Sequence, residues 1–210
     1  MTGRLLRAVT IIGALGLLSA CEGADRLDLT AIGRDAWQRP GDVMAALEVG
    51  SGATVADVGA GHGYFVPHLA AAVGAQGRVL AVEVDAALAE ALSARFAQQA
   101  NVEVILGRVD DPLLPDGSVD LVLLVNVYHH IADRAAYFAR LRADLSPRGR
   151  VAVIEPDADL GGLPGVFVPD GHASRVSDLR REMGAAGYRP VRSYDFLPVQ
   201  IFEVFAPGAD

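Results

Sequence analysis

The chain has 210 residues, of which 51% are hydrophobic and 21% charged, and its formal net charge is −8. This composition predicts one globular domain with a sizeable core. The negative balance argues against nucleic acid as the main partner, and no charge run, repeat or low-complexity tract stands out along the chain.

The first twenty residues are predicted to be a signal peptide rather than part of the fold. Arg4 and Arg7 give a basic start, residues 8–18 are apolar, and small residues precede Cys21. This order is typical of a secretory signal, and the apolar run is too short to span a membrane. Residues 18–21, Leu-Ser-Ala-Cys, resemble the bacterial lipobox, which implies lipidation of Cys21. A misassigned start codon, or a buried helix with a chance cysteine, is the alternative.

These features predict a protein of the bacterial periplasm or cell envelope, held to the membrane only by a lipid anchor on Cys21. A cytoplasmic location is the alternative. Residues 21–33 would form the tether and residues 34–210 the folded domain. Cys21 is the only cysteine, so an internal disulfide is excluded. Trp37 is predicted either to cap the edge of the core or to belong to a flap over the ligand pocket.

A glycine-rich turn near the start of the domain is the strongest motif. Residues 55–58, Val-Ala-Asp-Val, are predicted to be a buried strand, and residues 64–73 a helix after the turn. A strand, a glycine-rich turn and a helix form the first ligand site of a Rossmann-like sheet. Glycines let the backbone turn sharply and approach a ligand with no Cβ in the way.

The spacing of the glycines indicates which ligand the turn binds. A dinucleotide fingerprint would place its third glycine at Tyr64, whereas this chain reads Gly-x-Gly-x-Gly. Residues 57–63, Asp-Val-Gly-Ala-Gly-His-Gly, resemble the first motif of the class I S-adenosylmethionine (SAM)-dependent methyltransferases of the methyltransferase-11/25 type. The resemblance implies SAM as cofactor and S-adenosylhomocysteine as product. A turn that binds nothing is the alternative. The implied cofactor contacts are Asp57, Gly59, Ala60, Gly61 and Gly63.

The second strand, residues 78–84, ends at an acid in the position that suits a ribose. Glu83 lies roughly twenty residues past the glycines, where a carboxylate accepts hydrogen bonds from ribose hydroxyls. A solvated acid at a strand end is the alternative. Asp85 competes for the same role, but its position favours the N-cap of a helix over residues 86–98.

The turn after the third strand, residues 101–106, resembles the stretch of the family that contacts adenine. Many relatives carry an acid where this chain has Arg108. The adenine contact is therefore assigned to Asp110, Asp111 or a backbone carbonyl, with a solvated turn as the alternative.

The fourth strand, residues 119–127, is almost entirely apolar, which is typical of a strand buried on both faces of a parallel sheet. A polar cluster follows it, and ligands bind at the carboxyl ends of such strands. The resemblance implies that Asn126 contacts the methionine part of SAM. Tyr128, His129 and His130 are candidate catalytic groups, although a structural hydrogen bond is the more common role of a histidine beside a site. If the two histidines begin a helix, at most one points inward.

A long loop over residues 155–174 follows an amphipathic helix (133–145), a turn (146–150) and a fifth strand (151–154). The turn resembles the family's Leu-x-Pro-Gly-Gly-Arg. Loops of this length are usually functional, and this one is predicted to cover the acceptor pocket. His172 is a further catalytic candidate; Glu155, Asp157 and Asp159 are also candidates, although a solvated position is expected for all four. No Cys or His cluster has ligand spacing, so the sequence predicts no metal site.

The C-terminal segment predicts how the sheet ends. A helix over residues 175–186 stops at Gly187, and strands at 189–196 and 199–205 are close enough to form a hairpin. The predicted fold is an α/β three-layer sandwich, with a Rossmann-like, seven-stranded, mostly parallel sheet and an antiparallel C-terminal strand. The resemblance covers residues 34–206.

Methyl transfer from SAM to a small or medium-sized acceptor is the predicted function. Because this chemistry depends mainly on proximity and alignment, the acceptor cannot be read from motifs. A thiol, metalloid or enolate acceptor suits a site without a strong base, whereas a phenol or amine would require one. An exported SAM-binding protein without catalysis is the alternative, and an NAD-linked oxidoreductase is disfavoured by Tyr64. The oligomeric state is not predicted.

Overall fold

The computed structural model of the protein describes residues 33–160 and 171–208. The predicted signal peptide, Cys21 and residues 21–32 of the tether lie outside these ranges, as does the middle of the long loop before the C-terminal helix. Within the described ranges, every helix is too short or too polar to cross a bilayer.

A seven-stranded sheet forms the centre of the domain, as predicted. Its strands are β1 (Thr54–Val58), β2 (Arg78–Glu83), β3 (Val102–Leu106), β4 (Val119–Val125), β5 (Leu145–Pro156), β6 (Tyr188–Tyr194) and β7 (Gln200–Pro207). Their order in space is β3-β2-β1-β4-β5-β7-β6. The first five strands are parallel. The last strand, β7, runs antiparallel to both β5 and β6, as the predicted hairpin requires.

Helices on both faces of the sheet complete the three layers. They are α1 (Arg34–Gln38), α2 (Pro40–Leu47), α3 (Val66–Val73), α4 (Ala86–Phe96), α5 (Arg134–Asp144) and α6 (Val176–Ala185). One core cluster contains Val43, Leu69 and Phe96 from α2, α3 and α4. The other contains Leu141 and Met183 from α5 and α6. Because β4 is covered on both faces, its sequence is continuously apolar rather than alternating.

Three element boundaries differ from the prediction for physical reasons. Helix α3 begins at Val66, since Pro67 lacks an N–H and is accommodated only in the first turn of a helix. Strand β4 ends at Val125 because the next residue, Asn126, adopts a left-handed φ of 58°. Strand β5 begins already at Leu145, and the predicted turn at residues 146–150 is an irregularity in its register against β4.

The strand order places the candidate site. It reverses between β1 and β4, and a ligand crevice forms outside the carboxyl ends of the strands at such a point. Four polar residues lie within one residue of the carboxyl ends of β1, β2, β4 and β5, namely Asp57, Glu83, Asn126 and Glu155.

Candidate SAM site

The glycine loop after β1 contains two glycines that are needed for packing and one that leaves space. All three have left-handed backbone, with φ of +72° at Gly59, +56° at Gly61 and +77° at Gly63. A Cβ on Gly59 would lie 2.3 Å from a methyl group of Val127, and one on Gly63 would lie 2.6 Å from the ring of Phe96. A Cβ on Gly61 would meet no described atom within 4 Å. Gly61 therefore faces open space, as expected of backbone that a ligand approaches.

Glu83 holds this loop against the end of β2. Its buried carboxylate accepts a hydrogen bond at Oε2 from the N–H of Gly61, 2.9 Å away. Its Oε1 accepts from the N–H groups of Val84 and Asp85 at 2.7 and 3.1 Å. A carboxylate has about four acceptor positions, so Oε2 retains capacity for a ligand hydroxyl. The ribose contact stays a prediction, and this geometry suits it.

Asp85 has the capping role that its position favoured. Its side chain is exposed, and Oδ1 accepts from the N–H groups of Ala87 and Leu88 at 2.8 and 3.0 Å. These are the orphan donors at the start of α4, so Asp85 is the N-cap of that helix.

Asp57 lies buried at the end of β1, 3% exposed. Burial is the main cause that raises the pKa of its carboxyl group to about 7, and the nearby charge of Glu83 raises it further. The guanidinium of Arg34 acts in the opposite direction. The sequence does not predict this role of Arg34, because a basic residue in a short helix more than twenty positions away carries no local signal.

Helix α1 contacts the glycine loop directly. The hydroxyl of Tyr64 donates to Oδ1 of Asp35, and the guanidinium of Arg34 lies 4.1 Å from the centre of the Tyr64 ring. Trp37, on the same helix, is half-buried. The helix therefore packs against the glycine loop, and both interpretations of Trp37, a cap on the core edge and a flap over the ligand pocket, stay predictions.

The two acids assigned to adenine lie in an exposed turn after β3. Asp110 forms ion pairs with Arg108 and Arg140. Asp111 accepts from the N–H of Leu113 at 2.9 Å and pairs with Arg108 at 3.0 Å. Both carboxylates have partners inside the protein, so an adenine contact from either one stays a prediction.

Exposed apolar side chains occupy the same end of the sheet. They are Val84, Leu106, Val109 and Leu113. Val84 directly follows Glu83, and Leu106 is the register partner of Glu83 on β3. Such surface suits an aromatic ring such as adenine. Sequence patterns did not indicate these residues, because apolar residues at strand ends resemble ordinary core positions.

Asn126 is fixed at the end of β4 by two hydrogen bonds. Its N–H donates to the carbonyl of Ile154, and its Oδ1 accepts from Nε2 of Gln200, both at 2.8 Å. The Oε1 atom of Gln200 is buried and has no hydrogen-bond partner among the described residues. A buried acceptor without a partner is costly, so this edge of the site is suited to a ligand that donates.

His129 and Glu155 form a buried pair at the ends of β4 and β5. Nδ1 of His129 lies 2.5 Å from Oε2 of Glu155, whose other oxygen accepts from the N–H of Tyr128 at 2.9 Å. The Glu155 side chain is completely buried. The expectation that Glu155 is solvated was therefore wrong. The signal was available, because Glu155 directly continues a run of four buried strand residues.

His130 and His172 are exposed, and both rings lie close to His129. The ring centres are 4.0 Å apart for His129 and His130, and 5.1 Å apart for His129 and His172. As expected, only one of the two adjacent histidines is buried. Burial and the neighbouring imidazoles lower the pKa of His130, which favours its neutral form.

The side chain of Tyr128 contacts α5 and α6. Its hydroxyl donates to Oε2 of Glu182 at 2.6 Å, and its ring stacks on Phe138. Burial, followed by the hydrogen bond to Glu182, raises the pKa of the Tyr128 hydroxyl. These contacts describe a core residue rather than a group that removes a proton from an acceptor.

Known proteins resemble this chain in both sequence and fold. Residues 55–149 match the family described as "Methyltransferase domain". A SAM-dependent methyltransferase from Aquifex aeolicus has a TM-score of 0.78 at 22% identity, over 85% of this chain and 94% of that one. Residues 55–149 belong to this methyltransferase domain family. The predicted class I fold is confirmed, and SAM is the cofactor that this domain family and its SAM-dependent structural neighbours imply.

Two curated proteins also match the chain. An uncharacterized 37.1 kDa protein from a transposon of Streptomyces fradiae is 35% identical over 152 residues, which is 71% of this chain and 44% of that protein. An arsenite methyltransferase of Halobacterium salinarum is 27% identical over 184 residues, 80% of this chain and 45% of that enzyme. The chain thus spans less than half the length of the curated relatives it matches.

The residues present fit SAM. Gly61 leaves open space beside the backbone, and Glu83 offers an acceptor for a ribose hydroxyl. Exposed apolar side chains follow β2 and β3. The orphaned acceptor of Gln200 suits a donor such as the ammonium group of the methionine part.

Asp57 should make SAM binding depend on pH. SAM carries a positive sulfonium, and a nearby cation favours the ionised carboxylate over the protonated form. Binding would thus lower the Asp57 pKa from about 7, so affinity should increase as the pH rises. We expect the Kd to be several-fold larger at pH 6 than at pH 8 by titration calorimetry. Asp57→Asn should remove most of this difference in Kd between pH 6 and pH 8. If the variant shows the same pH dependence as the wild type, Asp57 is not its source.

Proposed function

We propose that the protein transfers the methyl group of SAM to a small or medium-sized acceptor outside the cytoplasm, while a lipid on Cys21 holds it to the membrane. The open face of Gly61, beside the buried carboxylate of Glu83, is the observation that carries the cofactor part of this proposal. The polar cluster at the end of β4 carries the acceptor part, because it lies at the same edge of the sheet.

The protein would align the cofactor with the acceptor and would accept the proton that the acceptor loses. Bound SAM supplies an electrophilic methyl group. Gly61 and Glu83 would position the cofactor, and Asn126 is held rigidly by the Gln200 amide. The imidazole of His129, oriented by Glu155, is a buried group beside the acceptor side of this edge that can hold a proton taken from an acceptor.

Calorimetry with SAM, S-adenosylhomocysteine and NAD tests the cofactor. We expect one site for each of the first two ligands and no heat from NAD. An assay of S-adenosylhomocysteine formation, with separate thiol, phenol, amine and arsenite acceptors, then tests transfer. Turnover with any acceptor supports the enzyme. SAM binding without turnover over the whole panel would favour an exported SAM-binding protein.

Replacement of Cys21 should release the protein from the membrane. Lipid attachment requires the Cys21 sulfur, and the diacylglyceryl group of a bacterial lipoprotein supplies two chains, which hold a protein stably. Cys21→Ser should therefore move the protein from the membrane to the soluble fraction and remove the lipid mass from its N-terminal peptide. Ser19→Ala, which keeps a small residue before the cleavage site, is the matched control and should remain lipidated. Residues 1–20 found unmodified on the mature native protein would contradict the proposal.

A truncated chain that begins near Ala24 tests whether the folded domain binds SAM without the N-terminal segment. It lacks Cys21 but keeps every described residue, so it should remain soluble and bind SAM as tightly as the full chain. Weaker binding would show that the N-terminal segment contributes to the site.

A further inference from the structure

Three histidines meet at the acceptor side of the sheet edge, although they are far apart in sequence. One ring nitrogen from each of His129, His130 and His172 lies within 4.8 Å of the other two. His129 and His130 belong to a short 3-10 turn after β4, and His172 lies before α6. Because the third histidine comes from a segment about forty residues away, sequence spacing did not reveal this group.

Backbone hydrogen bonds hold the His172 segment in place. The N–H of Ser174 donates to the carbonyl of Pro156 at 2.9 Å, and the N–H of Ala158 donates to the carbonyl of Ser174 at 3.1 Å. This short pairing extends the end of β5 on the side where Glu155 holds His129. The position of His172 therefore follows from the fold at β5.

Glu155 prepares His129 to bind a metal. A carboxylate only accepts, so the 2.5 Å contact places the proton of His129 on Nδ1 and leaves a lone pair on Nε2. Metal-binding histidines usually donate their other ring N–H to a carboxylate or carbonyl in this way. The complete burial of Glu155 shows that this arrangement is built into the fold.

We propose that His129, His130 and His172 form a binding site for a divalent transition-metal ion, with Zn²⁺ the best match. Imidazole nitrogens suit zinc, and three of them leave one position of a tetrahedron open. Nitrogens around zinc lie about 3.4 Å apart for bonds of about 2.1 Å. Rotation of the two exposed side chains, His130 and His172, would close the present separation.

The open position fits a thiol acceptor; this part of the inference rests on the proposed function. A thiol that coordinates the ion would lose its proton to solvent and become a thiolate. The thiolate sulfur then forms a bond to the methyl carbon of SAM. The bond from that carbon to the sulfonium breaks, and its electron pair stays on the sulfur of S-adenosylhomocysteine. Because the Nε2 lone pair of His129 cannot bind the ion and accept a proton at the same time, the ion would replace the His129 imidazole as the group that activates a thiol acceptor.

Metal titration of the chelator-treated, untagged protein tests the site without SAM. We expect one Zn²⁺ or Co²⁺ per chain, and an absorption spectrum of bound Co²⁺ typical of tetrahedral coordination. His172→Ala should weaken binding by at least about tenfold, since it removes one of three ligands. Glu155→Gln should weaken it about 10–100-fold, because an amide would turn the proton of His129 to Nε2.

His68→Gln is the matched control, since His68 lies on α3, outside the cluster, and should leave the titration unchanged. Circular dichroism identifies variants that fail to fold. Exposed His172 lies outside the core, so His172→Ala provides the decisive comparison. No stoichiometric binding, or equal binding by His172→Ala and wild type, would overturn the site.

Addition of 2-mercaptoethanol to the Co²⁺ protein tests the open position. A new sulfur-to-cobalt absorption band supports thiol coordination. A spectrum that does not change overturns the acceptor role but leaves the metal site. If the wild-type protein does not bind SAM in calorimetry, the proposed function is refuted. The metal titration is unaffected by that result, because it contains no SAM.

Discussion

Replacement of Gly61 by valine should abolish detectable SAM binding while the domain remains folded. A side chain at this position would extend into the open space beside the loop, where no described atom lies within 4 Å of a Cβ. The isopropyl group would occupy the volume that a ligand needs for close approach to the backbone. We expect affinity to fall by more than about 100-fold, which corresponds to about 2.8 kcal/mol. Titration calorimetry with SAM measures the loss.

Gly117→Val is the matched control for this variant. Gly117 has a φ of +62°, close to the +56° of Gly61, and a Cβ there also meets no described atom within 4 Å. Both variants therefore carry a similar backbone strain of about 1–2 kcal/mol. Gly117 lies in the turn before β4, at the opposite end of the sheet from the glycine loop. If the two variants lose SAM affinity equally, strain is responsible and the assignment of the loop is wrong.

The fold could be predicted from the sequence because local patterns agree with the whole architecture. The apolar run of β4, the glycine turn after β1 and the close spacing of β6 and β7 each have one simple structural solution. Asp85 was assigned correctly as an N-cap for the same reason, since both of its bonds are made within three residues.

The acceptor side of the site could be predicted only in part, because its contacts join distant segments. His129 and His130 follow β4 and were found by the rule that ligands bind at the carboxyl ends of strands. The residues that contact these two histidines were not predicted. Glu155 was expected in solvent, and the approach of His172 depends on backbone pairing beyond the end of β5. The charge of Arg34 acts on Asp57 from a separate helix.

Replacement of Glu83 by alanine should weaken SAM binding by about 1–3 kcal/mol, the usual cost of unmade hydrogen bonds to a charged group. The variant loses the predicted ribose acceptor and also the anchor of the Gly61 N–H. Glu83→Gln keeps the shape and one oxygen but not the charge, so its loss should be smaller. Calorimetry with SAM gives the affinities, and urea unfolding gives the stability of each protein without ligand.

Asp85→Ala separates ligand binding from stability. Glu83 supports three N–H groups and Asp85 supports two, so both alanine variants should be less stable than the wild type. Loss of an N-cap costs about 0.5–2 kcal/mol. The exposed Asp85 side chain is committed to α4, so its removal should leave SAM affinity within about twofold, well below the tenfold change that corresponds to 1.4 kcal/mol. If Asp85→Ala weakens SAM more than Glu83→Ala does, the ribose contact belongs to Asp85. If both variants lose affinity in proportion to stability, Glu83 acts on the loop and does not contact the ligand.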